Sequence, residues 1–219
     1  MCLKLADKVV AVSNYELNGL SRYVNKKSIK LIYNSIKTNL FNYSKEKGNN
    51  LIITVSGLKN THFHRKGLDI FVNISKKMPN FNFVLVGKDF NDGTYEKISK
   101  SVNKNFTLTG AVSDNELKKW MQKASMYCQF SRQEGFGVAL AEAMACGCIP
   151  IVSKYGAIPE VAGPDAYYIE KEINYEKIKS TIIKVSETNI NRELFSKRIN
   201  SLFSDSKREK LLLSVVESV

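Results

Sequence analysis

The sequence predicts an α/β fold, a Rossmann-like parallel sheet with helices on both faces. Three observations carry that expectation. From residue 51 onward, short runs rich in β-branched and aromatic residues recur at Leu51 to Val55, Phe81 to Val86, Phe106 to Thr109 and Met126 to Phe130, and segments with helical spacing separate them. Glycine follows the first three of these runs, at Gly57, Gly87 and Gly110, where a chain leaving a buried strand must turn. Strands spaced by helices require crossover connections, which are right-handed and build a parallel sheet covered on both sides.

The elements follow in order. Val9 to Val12 reads as a short buried strand, Ser13 or Asn14 can cap a helix running to about Tyr23, and a second apolar burst lies at Ile29 to Tyr33. Asn34 to Asn50 is rich in Asn, Lys and Ser and reads as a linker. After the strand at Leu51 comes a long polar loop, Ser56 to Gly67, with both histidines, His62 and His64. Gly67 to Lys76 has helical spacing through Leu68, Phe71, Val72 and Ile74. Tyr95 to Val102 is a further helix, and Ser113-Asp114-Asn115-Glu116 opens another as a capping box. Val138 to Cys146 is small and apolar, which suits a helix packed tightly on a sheet; Gly147 suits its left-handed cap and Ile149 to Val152 a buried strand. Ala166 to Ile169 reads as the last strand, and two or three amphipathic helices fill residues 174–218.

Composition bounds the function. At 219 residues, 43% hydrophobic and 25% charged, the chain can bury one good-sized core, and disordered or collagen-like classes are excluded. No apolar run approaches the ~20 residues of a membrane span, and Met1 to Asp7 lacks the apolar core of a signal peptide. The expected location is therefore the cytoplasm. Cys2, Cys128, Cys146 and Cys148 fit a reducing compartment as thiols, since Cys146-Gly147-Cys148 lacks the second Cys pair or nearby His of a metal site. The net charge of +12 calls for anionic partners, phosphates or an acidic lipid surface. Nucleic acid is not expected, because no basic block is interleaved with aromatics.

In doubly wound sheets ligands bind at the carboxyl ends of the strands, so the loops after Val55, Val86, Thr109 and Phe130 share one rim. Glu142 is the only charged residue between Gly135 and Ser153, and a carboxylate on so apolar a helix costs several kcal/mol unless something pairs with it. Glu134 lies eight positions earlier. One acid before a helix and one inside it can both face a ligand lying across the helix N-terminus. Lys66 directly precedes Gly67 at a helix start, where positive charge is unfavourable unless an anion sits there too, so a phosphate contact is expected for it.

These residues resemble a family. Glu134-Gly135-Phe136-Gly137 with Glu142 is similar to the E-x7-E motif of retaining glycosyltransferases of the two-lobed GT-B fold, the glycogen synthases and bacterial mannosyl- and glucosyltransferases. Arg65-Lys66-Gly67-Leu68-Asp69 resembles the K-G-x-D element of their C-terminal lobe, and Gly156-Ala157-Ile158-Pro159-Glu160 their G-x-x-P-E turn. Ala6 to Ser13 resembles the end of their N-terminal lobe. The resemblance divides the chain into residues 1–42, a remnant of the N-terminal lobe with the interdomain linker, and 43–219, a donor-binding lobe.

The resemblance implies roles. Glu134 contacts the donor sugar and Glu142 the ribose hydroxyls. The amides of Phe136, Gly137 and Val138, with Lys66, hold the diphosphate, close to Gly57 and Arg65. Gly110, Ala111 and Val112 meet the base. The implied donor is a UDP- or GDP-sugar, transferred with retention and without a protein-bound metal or other cofactor. Two departures stand out. Leu58 occupies the place of a second phosphate-binding Arg, for which Lys59 or Arg65 can substitute, and most of the acceptor-binding lobe is absent. A second lobe, in a longer chain or in trans, is therefore an expected partner, and a lipid or lipid-linked acceptor at the inner face of a membrane fits the basic charge. The strands at Val9 and Ile29 are expected to pack irregularly or to pair with another chain. The alternative is a catalytically inactive nucleotide-sugar-binding or regulatory module. A dinucleotide-dependent oxidoreductase is disfavoured, since no G-x-G-x-x-G follows a strand.

Overall fold

The computed structural model describes residues 6–48 and 50–217. Near its start, β1 (Val9–Ala11) and β2 (Ile29–Leu31) pair in parallel as a two-stranded sheet of their own, with Val9 opposite Ile29. This regular pairing replaces the irregular packing expected from the sequence. α1 (Asn14–Leu20) lies between them, and Ser13 is the cap: its hydroxyl accepts from the Glu16 amide at 3.0 Å. Val9, Ala11 and Ile29 form a small core with Leu17, Leu20 and Val24.

The segment expected as a linker is packed. Ile36 and Phe41 are buried in the main core, Lys47 Nζ donates to the carbonyls of Met121 at 3.0 Å and Cys146 at 2.7 Å, and the Gly48 amide donates to the Lys123 carbonyl. Two buried apolar side chains and one part-buried ammonium anchor a stretch whose polar composition reads as solvated.

The main sheet contains β3 (Leu51–Val55), β4 (Asn82–Val86), β5 (Phe106–Gly110), β6 (Met126–Gln129), β7 (Ile149–Val152) and β8 (Tyr167–Tyr168). Their order is β5-β4-β3-β6-β7-β8, with every pair parallel. β6 and β7 are buried at every position, as strands covered on both faces are. The chain builds outward from β3 in one direction and, after crossing to β6, in the other. The crevice of such a sheet opens at the carboxyl ends of the two strands where the direction reverses, here β3 and β6.

The helices around it are α2 (Asn60–Arg65), α3 (Leu68–Lys76), α4 (Thr94–Ser99), α5 (Asp114–Lys123), α6 (Val138–Ala145), α7 (Ile158–Ala162), α8 (Tyr175–Glu187), α9 (Glu193–Leu202) and α10 (Asp205–Val216). The capping box at Ser113 and Glu116 forms with both of its bonds, and Gly147 takes φ 86° after α6. α2 was not expected inside the polar loop. Its first amide, from Asn60, is capped by Asp92 Oδ2 at 2.8 Å, a partner no local pattern announces. Cys128, Cys146 and Cys148 are buried free thiols; Cys2 lies outside the described residues.

Candidate functional site

A cleft of about 350 Å³ opens where β3 and β6 end, lined by Thr54, Val55, Lys66, Tyr127, Gln129, Ser131, the stretch Glu134 to Ala139, and Val12 and Asn34 from the N-terminal part. Lys66 follows α2 and precedes Gly67, which has φ 69°; a Cβ built there falls 2.1 Å from the Phe130 carbonyl oxygen. Glycine thus lets the Lys66 turn lie directly on the chain leaving β6. Across that contact, Lys66 Nζ meets Glu134 Oε2 at 2.7 Å, with side chains 24% and 13% exposed.

Glu134 is held from three sides. Gln129 Nε2 donates to the same carboxylate oxygen at 2.7 Å, and the Ala157 amide donates to the Glu134 carbonyl at 3.0 Å. Gly156, at φ 60°, lies so close that a Cβ would stand 2.1 Å from that carbonyl. The glycine-proline-glutamate turn is therefore the buttress under Glu134. Gln129 itself is buried, and its Oε1 has no partner among the described residues. A buried amide oxygen left unbonded beside a cleft is an acceptor open to a ligand.

The first turn of α6 forms the cleft's other wall. Gly137, at φ 98°, starts the helix with no side-chain cap. The amides of Phe136, Gly137, Val138 and Ala139 donate to nothing among the described residues. Free amides at the positive end of a helix, with a lysine opposite, make an anion-accepting wall.

Glu142 stands elsewhere. One turn into α6, it lies outside the cleft lining, and its carboxylate makes no hydrogen bond or ion pair among the described residues. Its charged neighbours are Asp114 and Lys37, which pair with each other at 3.0 Å. Burial, helped by the Asp114 charge and opposed by Lys37, pushes its pKa up to about 7.

Of the residues expected at the site, the fold gathers Lys66, Glu134, Phe136, Gly137 and Val138 into one cleft and leaves Gly57, Arg65, Glu142, Gly110 and Val112 outside its lining. Gly57 lies against Phe90 and His62. Arg65 offers its carbonyl to the Arg132 amide at 2.8 Å. Gly110, at φ 72°, has open space where a Cβ would be, and Val112 packs partly on the main core. Thr54, Tyr127, Gln129 and Ser131 were missed. Their signal was available, since polar side chains interrupt otherwise apolar strand ends. Burial, then the Glu134 charge, raises the Tyr127 pKa well above that of an ordinary phenol.

Glu160 joins the two parts of the molecule. Its carboxylate accepts from the amides of Asn14 at 2.8 Å and Tyr15 at 2.9 Å, and from the Tyr33 hydroxyl at 3.1 Å. It thereby caps α1 from α7, one turn beyond the buttress of Glu134. Among the described residues, no group of three His, Cys, Asp or Glu side chains is placed to hold a metal ion, and no helix is long and apolar enough to cross a membrane.

Comparison with known proteins adds identity to this geometry. A sequence model described as glycosyl transferases group 1 matches residues 35–209. The chain is 32% identical over 188 residues to the uncharacterized glycosyltransferase MJ1178 of Methanocaldococcus jannaschii, covering 82% of this chain and 50% of that protein. It is 22% identical over 207 residues to the phosphatidylinositol N-acetylglucosaminyltransferase gpi3 subunit of Schizosaccharomyces pombe, covering 90% and 45% respectively. The chain thus spans about half the length of these curated relatives. Anabaena Alr3699/HepE, solved in complex with UDP and glucose, superposes with a TM-score of 0.84 over 98% of this chain and 64% of that one, at 17% identity. At that identity the likeness establishes the fold.

Proposed function

The chain belongs to the glycosyl transferases group 1 family, and from that premise we propose that it is the donor-binding lobe of a retaining GT-B glycosyltransferase using a UDP- or GDP-sugar. The observation that carries this reading is the anion-accepting wall: Lys66 Nζ and the uncapped amides of Phe136, Gly137 and Val138 converge on one cleft at the sheet's switch point. A diphosphate is an anion of that size, and the strand order puts the cleft where nucleotides bind in doubly wound sheets.

In this reading the diphosphate displaces Lys66 from sole partnership with Glu134. As the bond between the sugar's anomeric carbon and the diphosphate oxygen breaks, negative charge grows on the leaving group, and Lys66 and the α6 amides stabilise it without a protein-bound metal. Glu134, fixed by Gln129 and the Gly156 buttress, faces the donor sugar. Glu142 accepts from the ribose hydroxyls, the Gly110 to Val112 turn meets the base, and Gly57 and Arg65 flank the diphosphate. Transfer needs an acceptor held in line and water excluded, so activity requires a second lobe, in a longer chain or in trans. The net charge of +12 and the phosphatidylinositol in the name of the gpi3 relative support a lipid-borne acceptor at a membrane's inner face.

A thermal-shift panel of UDP, GDP and their sugars tests the reading. A rise in melting temperature with one of the two nucleotides, abolished in Lys66→Met, is expected. No shift with either at millimolar concentration rejects it. Addition of an N-terminal lobe in trans then separates an enzyme, which transfers, from a binding module, which does not.

A further inference from the structure

We propose that Arg132 and Asp69 are positioning residues that set Lys66 for the distal phosphate of the donor, an inference that rests on the diphosphate reading of the cleft. Lys66 belongs to the turn between α2 and α3, while Glu134 and the α6 amides belong to the stretch after β6. These are separate segments of chain, and the site exists only if they keep register. Arg132 ties them together on both sides of Lys66. Its amide donates to the Arg65 carbonyl at 2.8 Å, its guanidinium donates to the His64 carbonyl, and the same guanidinium grips Asp69 with two bonds of 3.0 Å, Nη1 to Oδ1 and Nη2 to Oδ2. Residues 64 and 65 precede Lys66 and Asp69 follows it, so one side chain brackets the lysine.

The bracket is built rather than incidental. Asp69 is largely buried, its side chain 17% exposed, in the first turn of α3. His64 Nδ1 also lies 3.1 Å from Asp69 Oδ2. Burial works to raise the Asp69 pKa, and the bonds from Arg132 and His64 outweigh it, leaving the pKa lowered. A two-pronged guanidinium–carboxylate pair fixes direction as well as distance, which a lysine cannot reproduce. None of Arg132, Asp69 and His64 lines the cleft, so their effect on a ligand passes through Lys66. A flexible lysine on an unbraced turn can still pair with Glu134, but it loses the placement that lets it serve a phosphate as well.

The test compares UDP with UMP by titration calorimetry on the whole chain, with GDP and GMP in parallel, since the two members of each pair differ by the phosphate Lys66 would meet. The wild type is expected to prefer the diphosphate. Arg132→Met should cut that preference about tenfold while leaving monophosphate affinity within about twofold. Asp69→Asn, which keeps shape and removes charge, should act in the same direction, and Arg132→Lys should restore only part of the preference. In a Lys66→Met background, Arg132→Met should change the preference no further, because coupled residues are not additive. A merely structural role would lower the melting temperature and weaken both nucleotides alike, and that result overturns the proposal. So does an unchanged preference in Arg132→Met, or additive losses in the double variant. A wild type that binds a nucleotide but does not prefer the diphosphate rejects the diphosphate reading itself, and the proposal falls with it.

Discussion

Glu134, just before α6, and Glu142, inside it, are carboxylates eight residues apart, and the fold puts them in opposite states. On the cleft side, the Glu134 charge is paired in place by Lys66 at 2.7 Å and its carboxylate accepts from the Gln129 amide at 2.7 Å. On the side facing α5, Glu142 is part-buried with no bonded partner among the described residues, and its pKa rises to about 7. A motif of two like residues need not imply two like environments. The first acid is paired without ligand and, in the proposed reading, shares its lysine with the diphosphate. The second is held in an unfavourable state that a hydroxyl donor would relieve. Stability is given up at one acid and kept at the other.

Four measurements probe that contrast. The largest effect is expected from Lys66→Met, which removes the cleft's cation and strands Glu134: nucleoside diphosphate affinity by calorimetry should fall about a hundredfold. An unchanged affinity would mean that the cleft side is not the diphosphate side. Next, Gly156→Ala drives a Cβ into the Glu134 carbonyl at a left-handed position and should cost about 2–3 kcal/mol in urea unfolding. Gly110→Ala, also left-handed but with open space around it, should cost only about 1 kcal/mol. Equal losses at the two glycines would remove the buttress argument.

Glu142→Gln tests the second acid through its pH dependence. A carboxyl whose folded pKa is raised to about 7 binds its proton more tightly in the folded state than in the unfolded one. Stability from this group is therefore present below the unfolded value, shrinks as pH rises toward 7, and becomes a full penalty above it. The Gln variant should be more stable than wild type by about 2 kcal/mol at pH 8 and indistinguishable at pH 4.5, while losing nucleotide affinity. A variant that melts with wild type at both pH values contradicts the strained state of Glu142. The smallest effect is expected from Glu160→Gln, which weakens the cap that joins α1 to α7. About 1 kcal/mol of protection should be lost at the amides of Asn14 and Tyr15 in hydrogen exchange, with the cleft's nucleotide affinity retained. Loss of affinity as well would show that the two parts are coupled through the Glu134 buttress.

Much of the fold was legible because its signals are local. The β-branched runs of β3 and β4, the helical spacing of α3, the Ser113 capping box and the left-handed Gly147 each follow from residues within a few positions of one another. Strand–helix alternation also placed the Lys66 and Glu134 segments on one rim. What misled was polarity without context. Asn34 to Asn50 reads as linker because Ile36 and Phe41 are few, and Ser56 to Gly67 reads as loop because the cap of α2 comes from Asp92.

Local patterns along the chain carry the alternation and the rim, and they single out Glu134, Glu142 and Lys66 as candidate site charges. Which of them meet depends on long-range packing. Lys66 and Glu134 are 68 residues apart and Glu160 and Asn14 are 146 apart, distances over which no periodicity or cap carries information. They come together because β3 and β6 are neighbours at the point where the sheet reverses direction. Glu142, equally visible in the sequence, points away from that meeting place because α6 turns it toward Lys37 and Asp114, whose charges are spent on each other.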